Sequence, residues 1–182
     1  MAIAATLCLI AVDAAGAPAK GKRCPGAKAS FASLTSKDAA RSVVCLINAE
    51  RGKRGLPRLH SDRRLDRAAR AHSRDMYSQD FFAHTGSNGS DAGERMRKQG
   101  YKWRAWGENI ALGYPTPADV MEGWMASRGH CQNILAPGFI DVGFGFETGP
   151  RGGPYSTQVF GANQGDPAGS SNGKPQRGCP YG

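Results

Sequence analysis

An α+β domain, with helices layered on a small antiparallel sheet, is predicted by three features of the sequence. Helical periodicities fill most of residues 35–129, and two-residue alternation marks 140–146 and 155–160. The turn Thr148-Gly-Pro-Arg-Gly-Gly-Pro154 joins those two alternating runs as a hairpin. Helices grouped ahead of such a hairpin must bury their apolar stripes on its sheet, which gives an α+β layering. The 182 residues suit one domain, and 40% apolar content can fill a core, which argues against a disordered, fibrous or membrane-spanning chain. Gly (25) and Pro (11) make up about a fifth of the chain, against a usual ~12%, so loops and tails are extensive.

Each element carries its own signal. The first helix starts near Thr35 or Ser36, carries Ala40, Val43, Val44 and Ile47 on one face, and stops at Gly52 and Gly55. A turn of about 100° per residue puts Cys45 on the opposite side of that helix, where a half-cystine would anchor it from outside. A second helix capped by Ser61 has an apolar stripe of Leu65, Ala68, Ala69, His72 and Met76, backed by Arg63, Arg67, Arg70 and Arg74. Mid-stripe, His72 reads as a packed core histidine; His60 reads as a turn residue. Ser90 or Asp91 opens a short third helix ending at Gly100. Thr116-Pro-Ala-Asp119 supplies a hydroxyl cap, a first-turn proline and an acid for a fourth helix, which packs Val120, Met121, Trp124 and Met125 and ends at Gly129. A strand is predicted through Trp106, Glu108, Ile110 and Leu112. Another, half-buried, runs through Ile140, Val142, Phe144 and Phe146 with Asp141, Gly143 and Gly145 on its other side.

Residues 1–19 read as a signal-like leader, small and apolar but too short to span a membrane, which needs about 20 residues. Residues 20–33 read as a basic flexible segment, 34–162 as the domain, and 163–182 as a flexible tail anchored by Cys179. Export is consistent with the cysteines. Removing Cys8 with the leader leaves Cys24, Cys45, Cys131 and Cys179, an even number without a C-x-x-C pair. Three pairings exist, of which Cys45–Cys131 with Cys24–Cys179 is favoured because it ties both tails together.

Charge narrows the partners. Between Arg51 and Arg74 lie nine Lys or Arg and only Asp62 and Asp66, most of the formal +9 of the chain. On an exported protein this predicts attraction to anionic envelope or extracellular components. Nucleic acid is disfavoured, because no recognition motif or aromatic series accompanies the patch. An ordinary solvated helix face accounts for the same pattern.

Five segments in register then point to a family. Leu46-Ile-Asn-Ala-Glu-Arg51 with Gly55-Leu-Pro57, Phe81-Phe-Ala-His-Thr85, Gly107-Glu-Asn-Ile-Ala111, Trp124-Met-Ala-Ser-Arg-Gly-His130 with Asn133-Ile-Leu135, and Thr157-Gln-Val-Phe-Gly161 follow the order of the CAP superfamily. The chain resembles its short bacterial branch over about residues 40–161. The resemblance implies a three-layer α-β-α sandwich, here with a small antiparallel sheet, and a secreted protein; the shortness of the apolar run predicts no transmembrane helix. It also implies a shallow cleft where eukaryotic members hold a divalent metal on two His and two Glu. Carried over by position, His84 and Glu108 match the first His and the first Glu, whereas Ser127 and Tyr155 stand where the second Glu and second His would be. His130 is a further imidazole for the same cleft.

His84, Glu108 and His130 are therefore the candidate catalytic and metal-binding residues, with Ser127 and Tyr155 added for ligand binding. Glu108 shares a strand face with Ile110 and Leu112, so its carboxylate would be drawn out of water and needs a partner. His130, after Gly129, would sit at the negative end of the fourth helix, where an imidazolium is favoured by up to ~1 kcal/mol. If the three converge they match an open zinc site with water as fourth ligand, though their spacing lacks the i, i+4 pair of a metalloprotease helix. No G-x-S-x-G elbow surrounds Ser127, so catalysis is not established. The first reading is a secreted, monomeric binding module for a small lipid or peptide; the second is an extracellular hydrolase using the same cleft.

Overall fold

The computed structural model describes residues 24–150, 152–166 and 178–179. A four-stranded sheet, ordered β1-β3-β4-β2, lies between two helical layers. Helices α2 (Arg63–Ser78) and α3 (Ala92–Lys98) cover one face; α1 (Ser36–Gly52), α4 (Pro117–Ala126) and α5 (Arg128–Leu135) cover the other. Strands β2 (Trp103–Leu112), β3 (Asp141–Gly149) and β4 (Gly152–Asn163) are antiparallel. The two-residue β1 (His60–Ser61) adds parallel to β3, so the sheet is mixed.

Caps decide where helices begin. Thr35 accepts from the Asp38 amide at α1, Thr116 from the Asp119 amide at α4, and Asp91 forms a reciprocal capping box with Glu94 at α3. At α2 the cap is Asp62 rather than Ser61, because its carboxylate takes both the Arg64 and Leu65 amides while His60 and Ser61 are drawn into β1. His60 is thus a strand residue, its amide donating to the Ile140 carbonyl. The largest correction falls after α4. That helix ends at Ala126, and Gly129 does not stop a helix but lies inside α5.

The sequence alternation also misleads at β3. Gly143 and Gly145 are buried, so this strand is covered on both faces. A methyl group at Gly145 would lie 2.1 Å from the Arg70 backbone nitrogen, and one at Gly143 would lie 2.3 Å from the Leu65 carbonyl carbon. The missing side chains let the α2 backbone rest directly on the sheet. Leu65, Ala68, Ala69, His72 and Met76 all lie on the buried side of α2.

Residues 24–33, expected to be flexible, fold onto the domain instead. Phe31 is 1% exposed and packs on Phe144 and Phe146, with its amide on the Pro115 carbonyl. The favoured disulfide pairing is overturned as well. Cys24 bonds Cys45 and Cys131 bonds Cys179. Cys45 is half-buried on α1 and is met by the incoming chain at Cys24, whereas Cys131 is buried at α5 where Gly178 and Cys179 return. The leader, residues 20–23 of the basic segment, and residues 167–177 and 180–182 of the tail lie outside the described residues.

Arg51 joins the two ends of the α1/α5 layer. It is fully buried, and its guanidinium donates to the carbonyls of Pro57, Ile134 and Ala136. Burial without a carboxylate brings its pKa down to about 10.

Two outcomes test this architecture. Non-reducing peptide mapping should recover Cys24 linked to Cys45 and Cys131 linked to Cys179, and removing the first bridge should cost about 3 kcal/mol from loop closure. Gly145→Ala, forced against the α2 backbone, should destabilise by roughly 2–3 kcal/mol in urea unfolding.

Candidate functional site

The site assembles where the loop after α2 crosses β2, the edge strand of the sheet. Glu108 projects from β2 toward the α2/α3 layer with only 2% of its side chain exposed. A carboxylate this deep needs compensation, and two donors supply it. Arg95 of α3 donates Nη2–H to Oε2 at 2.7 Å, and His84 places Nδ1 2.8 Å from Oε1. The expected proximity of His84 and Glu108 is therefore a direct hydrogen bond. His72 Nε2 stands 3.9 Å from the same Oε1.

The same side chains fix the loop. Arg95 also donates to the carbonyls of His84 (3.0 Å) and Ser90 (2.6 Å), and His72 Nε2 lies 3.0 Å from the Ala83 carbonyl. A carbonyl can only accept, so Nε2 carries the proton and neutral His72 has a bare Nδ1, which is buried without a partner. Burial lowers the His72 pKa, with the positive charge of Arg95 assisting and Glu108 opposing. Asp75 holds the far end of the loop through the Ser87 amide and hydroxyl. His72 and Arg95 also line a cavity of about 500 Å³ between α2, α3 and residues 87–90.

The opposite layer secures the strand. Asn133 of α5 donates to the Glu108 carbonyl (3.2 Å) and to Asn109 Oδ1 (2.8 Å), while Asn109 donates to the His130 carbonyl and to Gln158. Gly107 leaves the space for this: a methyl there would lie 2.9 Å from Phe139 and 3.2 Å from Asn133. The Trp124 indole takes the Ile110 carbonyl. The Glu108 and Ile110 carbonyls of the edge strand are thus occupied by side chains.

His130 lies in the first turn of α5, not at the end of α4, so the helix stabilisation expected for its cation is reversed in sign. Its pKa is lowered, chiefly by burial and further by His84. Ser127 joins α4 to α5 and makes no side-chain cap bond. Tyr155 is 6% exposed in a cluster with Met76 and Ile110, its ring edge-on to Tyr77.

A family model described as the cysteine-rich secretory protein family, CAP, matches residues 44–160. The chain belongs to this family. YkwD of Bacillus subtilis (strain 168) is 42% identical over 106 residues, covering 58% of this chain and 41% of that protein. YlbC, a membrane protein of the same strain, is 29% identical over 120 residues, covering 66% and 33%. The chain spans less than half the length of these curated relatives. Among solved structures, an extracellular SCP-domain protein of Bacillus anthracis str. Ames superposes with a TM-score of 0.64 at 26% identity, over 71% of this chain and 44% of that one. An outer surface protein of Borrelia burgdorferi has the same fold, with a TM-score of 0.66 at 18% identity, over 72% and 97%.

The divalent metal implied by the eukaryotic CAP tetrad does not suit this donor set. Both Glu108 oxygens are bonded to Arg95 and His84, and Ser127 and Tyr155 hold the other two tetrad positions. Among the described residues no three His, Cys, Asp or Glu side chains gather as metal ligands. The side chains around Glu108 that the sequence does not single out are Arg95, one of several cations on α3 with no distinguishing spacing, and His72, whose place in an apolar stripe hides its nearness to Glu108.

Burial of neutral His72 has a definite pH consequence. Its folded pKa lies below the unfolded value near 6.5, so the unfolded chain takes up the proton first as pH falls. This residue's contribution should therefore lower stability on going from pH 7 to pH 5. Urea unfolding of wild type and His72→Gln across that range should show a shallower fall for the variant.

Proposed function

We propose that this CAP domain is an extracellular binding module of the cell envelope, with His84 as its principal ligand contact. One observation carries the reading. His84 commits Nδ1 to a buried carboxylate while 59% of its side chain stays exposed, and its Nε2 has no partner among the described residues. A neutral ring held by Nδ1–H on Glu108 presents Nε2 as a fixed acceptor, suited to an amide N–H or a hydroxyl of a peptide or small lipid. Phe82, 48% exposed and two residues away, offers apolar surface for the rest of such a ligand. Glu108, Arg95 and His72 orient the ring and its loop.

An extracellular setting is supported by the two disulfides and by the likeness to an extracellular and an outer-surface protein. No helix among the described residues is long and apolar enough to cross a membrane. A second reading, as a hydrolase, draws on the same dyad. A carboxylate-oriented imidazole with a free Nε2 is the arrangement of a general base that could activate a water on a peptide or wall fragment.

Envelope peptides and lipids passed over immobilised protein should yield a species retained by wild type and lost with His84→Ala. Because His84→Ala also strips Glu108 Oε1 of its partner, the variant should lose stability, and its retention is compared only after circular dichroism shows it folded. Equal retention by His84→Ala would remove the reading. Turnover of peptides or wall fragments that vanishes in His84→Ala would favour the hydrolase.

A further inference from the structure

A second surface, separate from His84, has the geometry of a binding groove. Arg63, Arg67, Arg70 and Arg74 repeat along the outer side of α2 at the i, i+4, i+7, i+11 spacing and extend over about 16 Å. Lys37 and Arg41 of α1 face the first part of this row across a hollow of about 590 Å³. Arg67 and Arg70 also line an adjoining hollow of about 380 Å³ that reaches Arg74. The two hollows share a wall and form one track.

Most of this charge is not consumed internally. Lys37, Arg63 and Arg70 make no ion pair among the described residues. Among the described residues Arg67 bonds to Gln99 alone, and the Arg41–Asp38 and Arg74–Glu147 pairs are exposed at 3.4 and 3.3 Å, so an incoming anion can replace them. The acid on the groove floor, Asp66, accepts the Phe144 amide and so points toward the sheet. The docking of α2 on Gly143 and Gly145 fixes the helix backbone that carries the row.

We propose that this groove binds a linear, base-free phosphodiester polymer, with guanidinium groups on successive turns of α2 taking successive phosphates. Arginine forks match phosphate oxygens two at a time, and a row one residue wide between two helices suits a chain rather than a plane. A membrane surface fits less well, because the groove's one aromatic ring, Phe144, is 2% exposed and offers nothing to insert. Single-stranded nucleic acid fits less well for the same reason, since among the described residues lining the groove no exposed ring is available to stack on a base.

The test uses the full chain and a fluorescent glycerol-phosphate oligomer of about ten units, measured by anisotropy. Binding should weaken with salt at a log–log slope of about −2 to −3, the value for three or four neutralised phosphates on a flexible strand. Arg63→Glu with Arg70→Glu should weaken binding at least tenfold, Lys37→Glu on the facing wall should weaken it independently, and His84→Ala should leave it unchanged. Retained circular dichroism and melting temperature would confirm that the variants fold. Equal affinity for the unphosphorylated polyol, or binding that survives both charge reversals, would overturn the proposal. So would tighter binding of anionic vesicles, polygalacturonate or oligo-dT at matched charge.

Discussion

The candidate site depends on keeping one carboxylate charged out of water. A buried unpaired carboxylate is costly, and removing one partner from such a pair typically costs about 3–5 kcal/mol. Glu108 is therefore tolerable only while Arg95 and His84 occupy its two oxygens. That requirement sets the position of α3, which carries Arg95. It also sets the loop after α2, whose carbonyls are gathered by Arg95 and His72. It reaches the opposite layer through Asn133, which grips the backbone at Glu108. The G-E-N and H-x-x-N segments are the two halves of that grip.

Much of the fold could be read from the chain because helix caps and periodicities are local. Thr35, Asp91 and Thr116 mark their helices, and the buried stripe of α2 is the one its spacing indicates. The failures occur where a distant segment decides. Gly143 and Gly145 read as the open side of a strand because nothing local announces a helix lying on them. Gly129 reads as a terminator, yet the chain begins a new helix around it. The disulfide partners depend on where the ends of the chain return, which spacing does not encode.

The site divides in the same way. His84 and Glu108 were visible through motif order, and the need of Glu108 for a partner followed from its strand face. Which partners it has did not follow. Arg95 is one of three basic residues in the last turn of α3, and only the three-dimensional placement of that helix separates it from its neighbours. His72 sits where an apolar side chain would be expected and acts through a hydrogen bond to a loop eleven residues away.

The treatment of the sheet margin has a wider effect. Strand β2 is the last in the sheet, and a bare margin invites another polypeptide to extend it. Here Asn133 and Trp124 occupy the outward acceptors at residues 108 and 110. A domain finished this way can be joined to unrelated segments in longer proteins, or crowded at a cell surface, without that stretch nucleating fibrillar assembly.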